Sequence, residues 1–120
     1  MKTKISVLSA LLAGSILAVP VQAQQGPPAA PEEIGATILS VAAFMAESCP
    51  GVKLHEDVVT KRLEQLGVAQ LDYINTPRLA EMLKFNLTAL QAYPAEKVCG
   101  LMFTGYGPNG TALPGMVTRQ

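Results

Sequence analysis

His55 is the only histidine in the chain, so any catalytic triad or histidine-rich metal centre must pass through it. It opens the run His55-Glu56-Asp57-Val58-Val59, which begins like the helix of a zinc protease. That chemistry needs a second histidine one helical turn further on, so that both imidazoles project from one face toward the metal. Val59 holds that position, and the motif fails. What remains is an exposed histidine in an acidic helical first turn, where the helix dipole accounts for Glu56 and Asp57. Glu32 and Glu33 make a second acidic pair. Adjacent acids point about 100° apart on a helix, and neither pair lies in a loop with the ligand spacing of a calcium site. No metal and no cofactor is expected.

The letters Gly105-Tyr106-Gly107-Pro108-Asn109-Gly110 match a dinucleotide fingerprint. The fingerprint works after a strand and before a helix, where free backbone amides meet pyrophosphate. Here it follows a predicted helix and Pro108 removes one amide, so it reads as a helix stop and turn. Ser40 and Ser48 have no base at a motif spacing, and no nucleophile elbow is present. An enzyme would have to assemble its site from distant polar residues such as Glu56, Asp72, Arg78 and Asn109. The sequence therefore favours a protein that is not an enzyme. Asn86-Leu87-Thr88 and Asn109-Gly110-Thr111 are glycosylation sequons that matter only in a glycosylating host.

Cys49 and Cys99 are the only cysteines. An even count in an exported chain favours one structural bridge, and a redox-active pair would show a closer Cys-x-x-Cys spacing. Closing so long a loop stabilises a chain by about 4 kcal/mol in the chain-entropy treatment. Met45, Met82, Met102 and Met116, with Phe44, Phe85, Phe103 and three tyrosines, are the apolar residues that could line an adaptable groove. Methionine at helical spacing otherwise fills a core.

Export is the reason to expect that bridge. Lys2 and Lys4 form a positive start, Ile5 to Val19 is apolar or small and uncharged, and Pro20 precedes Val21-Gln22-Ala23. This is the three-part pattern of a secretory signal covering residues 1–23, cut after Ala23. A membrane-spanning helix needs about 20 apolar residues, and this run meets Pro20 first. The expected location is the periplasm of a Gram-negative bacterium, or otherwise outside the cell. The mature chain is expected to have no integral membrane segment. Two of the nine Lys and Arg residues leave with the signal, so seven face nine acids. The scattered bases of the mature chain give no grip on nucleic acid.

The elements follow from punctuation and period. Residues 24–31 read as a flexible arm, and residues 32–120 as one helical domain. Pro31 suits a first helical position. Ile34, Ile38, Val41, Met45 and Cys49 make a helical stripe that Pro50-Gly51 stops. A second helix is predicted from about Leu54 to Leu66, ended by Gly67 with Val68 packing back. Gln70 to Asn75 allows a short turn. Thr76-Pro77 opens a third helix with Leu79, Met82, Leu83, Leu87, Leu90 and Tyr93 on its buried side. Pro94 starts a fourth through Val98, Cys99, Met102, Phe103 and Tyr106. The expected fold is all-α: a small four-helix bundle-like domain with one inter-helix disulfide and an irregular C-terminal tail.

In size, exported helical character and one long-range disulfide, the chain is similar to the small acid-stress chaperones of the bacterial periplasm. The similarity is one of layout and rests on no motif residue. It implies a protein that exposes apolar surface to unfolding clients at low pH. The expected function is a binding or accessory module for another envelope protein or for unfolded clients. The alternative is a carrier of a small apolar ligand. The segment from Tyr106 to Val117, with Leu113 and Met116, is the expected partner surface.

Overall fold

Pro31 enters the first helix where its missing N–H is not needed, and Glu32 and Glu33 occupy the first turn. The Ala30 N–H donates to Glu33 Oε1 at 3.1 Å, which fixes the entry of the chain in half of a capping box. The computed structural model describes residues 29–120. The expected signal at residues 1–23, and all but the end of the arm at 24–31, lie outside the described residues.

Helix α1 spans Pro31–Ser48. Its apolar residues do more than form one stripe. Gly35, Ala36, Ile38, Leu39, Ser40, Val41, Ala42, Phe44 and Met45 are all buried, and positions so close in sequence point all round the axis. A helix apolar on every side is an enclosed helix. The rest of the chain is arranged on it: Pro50 and Gly51, the latter at φ 74°, turn the chain into strand β1 (Val52–Leu54). Helix α2 (Glu56–Leu66) follows and ends at Gly67, whose φ of 76° is left-handed. There the Gly67 N–H donates to Glu64 O at 3.0 Å and the Val68 N–H to Leu63 O at 3.1 Å. These are the paired bonds of a Schellman ending.

A single turn, α3 (Asp72–Asn75), leads into α4 (Pro77–Gln91). Pro77 starts α4 as expected, but the Thr76 side chain makes no capping hydrogen bond. Helix α5 (Ala95–Tyr106) follows Pro94, and strand β2 (Val117–Arg119) comes after it. Helix α1 packs most extensively on α4, then on α2, β1 and α5, while α3 lies against α4. The architecture is thus mostly helical and centred on α1. These contacts do not establish a four-helix bundle.

The tail corrects the expectation of an irregular, strandless end. β1 and β2 pair antiparallel with Val52 opposite Arg119, Lys53 opposite Thr118 and Leu54 opposite Val117. Bonds beyond the strands extend the ladder: His55 N–H donates to Met116 O at 2.8 Å, and Gln120 N–H to Gly51 O at 3.0 Å. Leu54, expected to begin the second helix, is instead a strand residue. Because side chains alternate across a strand, Leu54 and Val117 share the face turned to the core, where Val117 is 0% exposed.

The disulfide is present. Cys49 and Cys99 are joined with their Cα atoms 5.7 Å apart, tying the end of α1 to the second turn of α5. No helix among the described residues is long and apolar enough to cross a membrane.

Candidate functional site

Two local decisions shape the surface around the disulfide. The Pro50-Gly51 turn places Val52 in β1, and the pairing of Val52 with Arg119 puts both side chains on one face of the small sheet. On α5, Phe103 lies one turn beyond Cys99, so both project from the same side. The result is a half-open groove of about 440 Å³. Cys49 and Cys99 lie along it, Pro50, Val52 and Phe103 supply apolar wall, and Arg119 stands at its edge. The Arg119 guanidinium sits 4.3 Å above the centre of the Phe103 ring, a cation–π contact that fixes one lip of the groove. Glu96, in the first turn of α5, is the acid on the lining. An apolar group with a polar end fits this chemistry. The methionines do not contribute: Met45 and Met116 are 0% exposed in the core, and Met82 and Met102 pack against it.

A second feature is on the outside of the helices. Leu71, Ile74, Phe85, Tyr93 and Leu101 are 65–74% exposed. Tyr93 was expected on the buried side of its helix; it falls beyond the last residue of α4 and faces solvent. On α4 only Leu79 is fully buried, with Met82, Leu83, Leu87 and Leu90 partly covered. The helix therefore carries more apolar surface than α1 can take up.

Within the expected partner surface, the apolar side chains named for it turn inward. Tyr106 is 8% exposed, Met116 and Val117 are 0% exposed, and Leu113 packs partly buried against the same cluster. These side chains close the core. Two of the letters of the glycine motif have a local reason. A Cβ on Gly107 would lie 2.5 Å from Phe103 O, and one on Gly110 would collide with the Gly105 backbone. The amides of the segment are used internally: Ala112 and Leu113 both donate to Gly105 O, and Gly110 and Gly115 both donate to Gly107 O. The segment is a helix stop and a tight turn.

His55 is half-buried rather than exposed and immediately precedes α2. Its Nε2 is 2.8 Å from Thr118 Oγ1, so the imidazole clasps the tail strand. Among the described residues no three His, Cys, Asp or Glu side chains gather as metal ligands would. The Ser40 hydroxyl donates to Thr37 O at 2.9 Å and is buried within its own helix. Arg78 pairs with Glu32 at 2.8 Å in an exposed bridge, and Glu56 and Asp72 are exposed helix-start acids. Burial pushes the Tyr106 phenol above its ordinary value. Burial also raises Tyr73, helped by the charges of Glu32 and Asp72 and opposed by Arg78.

Compared with family models, with curated proteins and with solved structures, the chain matches none.

Proposed function

We propose that the chain is exported by its residues 1–23 and that the mature domain is a non-enzymatic binding module of the bacterial periplasm. It takes apolar stretches of another envelope protein or of unfolded clients. The observation that supports this reading is the set of large apolar side chains at 65–74% exposure on and around α3, α4 and α5. A domain this small has little apolar surface to spare from its core, so five large apolar side chains left in solvent support a role in taking up apolar partners. Phe85, the most exposed of them at 74%, is the first residue to test.

The experiment is affinity capture of the tagged protein after crosslinking in living cells, at neutral and mildly acidic pH, beside a Phe85→Ser, Leu101→Ser variant. One partner at fixed ratio identifies an adaptor, and a client set that grows with acid identifies a chaperone. Either must be diminished in the variant, which should fold as the parent does. Recovery of the protein alone at both pH values overturns the proposal.

The groove beside the disulfide favours a second reading, a carrier of a small apolar ligand. Native mass spectrometry of protein from its own host would then record a ligand mass that a Val52→Glu substitution removes.

A further inference from the structure

We infer that Asn109-Gly110 is a latent modification site: a spontaneous deamidation site that the native turn holds shut and that loss of the turn opens. The chain has three asparagines, and only Asn109 precedes a glycine; Asn75 precedes Thr76 and Asn86 precedes Leu87. Asparagine before glycine is the dipeptide most open to this chemistry, because no side chain shields the following main-chain nitrogen. The fold leaves no choice at position 110, since a Cβ there would collide with the carbonyl of Gly105 and crowd Tyr106 N. The requirement for a tight turn thus places a reactive pair on an exposed loop, with Asn109 itself open to solvent.

The reaction is internal. The Gly110 nitrogen gives its proton to a solvent base and attacks Asn109 Cγ. The new N–C bond closes a five-membered imide, and the side-chain nitrogen leaves as ammonia after taking a proton from water. Water then opens the imide at either carbonyl, leaving aspartate or isoaspartate. The first step needs the Gly110 nitrogen free, and here its N–H donates to Gly107 O at 2.9 Å. The turn is further pinned by Ala112 and Leu113 donating to Gly105 O, and by Gly115 donating to Gly107 O. Reaction must wait for these bonds to open, so its rate follows the population of the opened turn.

The consequence is directional. Isoaspartate adds one carbon to the main chain within the turn that seats Met116 and Val117, both 0% exposed. A chain modified while open cannot close the turn as before, and each opening event carries a chance of permanent release of the tail.

The test incubates the oxidised native protein, and the same protein reduced and unfolded in guanidinium, at mildly alkaline pH. Tryptic mapping of Val98–Arg119, a peptide in which Asn109 is the only asparagine, reads the conversion and separates the isoaspartate product. The expected result is conversion at Asn109 faster by about tenfold or more in the unfolded chain, with Asn75 and Asn86 slow in both states. Equal rates at Asn109 in the two states, or conversion of Asn75 or Asn86 ahead of it in the unfolded chain, overturns the inference.

Discussion

Gly35 shows how one missing methyl group determines a contact between distant parts of the chain. A Cβ there would lie 2.5 Å from the Tyr73 hydroxyl oxygen and 3.2 Å from Val68 Cγ2. The space is taken by the Tyr73 ring, which is 2% exposed and whose hydroxyl donates to Glu32 O in the first turn of α1. Helix propensity favours alanine over glycine by about 1 kcal/mol, whereas overpacking a filled site costs about 1–3 kcal/mol. Gly35→Ala should therefore destabilise the domain, despite sitting in a helix. Adding Tyr73→Phe removes the closest clashing atom, and the double variant should recover part of the loss in a thermal denaturation cycle. If Gly35→Ala melts at or above the parent temperature, the ring does not need this space. The same tyrosine, with Tyr106, gives an alkaline limit. Both phenols are raised above 10.0 in the fold, so the unfolded chain loses its phenolic protons first. Their contribution to stability is complete below pH 10.0 and is lost as pH rises from there through the folded-state values. Denaturation midpoints followed by circular dichroism should fall more steeply above that pH in the parent than in a Tyr73→Phe, Tyr106→Phe variant.

At the scale of elements, the tail strand serves the stability of the core, where Met116 and Val117 are fully buried. A chain ending at Gly110 would lack Met116 and Val117, and full burial of such side chains contributes about 1.5–3 kcal/mol each. It would also lose the β1 ladder and the His55–Thr118 clasp. Against a typical total of about 5–15 kcal/mol, that loss is severe, so truncation at Gly110 should unfold the domain rather than free a partner site. Loss of cooperative melting is the readout, and a cooperatively folded truncation would show the tail to be an appendage. The sequence did not announce this strand. Val52-Lys53-Leu54 is too short to display alternation, and Leu54 fits a helical stripe equally well. Its strand state depends on Val117–Arg119, far along the chain. Helix limits were legible because Pro31, Pro77, Pro94 and Gly67 act through their own backbones. The bridge was legible from the even cysteine count together with the expectation of export. The enclosed position of α1 was not, because its extra buried faces carry Gly35, Ala36, Ser40 and Ala42, which weigh little in a hydrophobic stripe. The groove escaped for the same reason as the strand: it needs Val52 opposite Arg119, and Arg119 over Phe103.

For the whole molecule, the disulfide and the hub-like α1 make a joint prediction. The bridge closes a sequence separation of 50 residues, and the chain-entropy treatment assigns such a loop about 4 kcal/mol. That treatment acts on the unfolded chain and would lower protection evenly across the native structure. The geometry adds a local effect. Helix α4 packs on α1 over a long face, whereas α5 has a slighter contact with it, and α5 carries the turn that delivers β2. The bridge therefore holds an element whose packing on α1 is slight. A Cys49→Ser, Cys99→Ser variant should melt roughly 15–30 °C lower. Native-state hydrogen exchange should show α5, β1 and β2 opening first while α1 and α4 stay protected to the remaining global limit. A uniform loss of protection would mean that the bridge acts only through the unfolded ensemble. The predicted uneven loss would make the α5–tail unit a separately opening part of the fold. The same opening bares the Gly110 nitrogen, so Asn109 conversion in the cysteine-free variant should rise in step with exchange in α5, ahead of global unfolding.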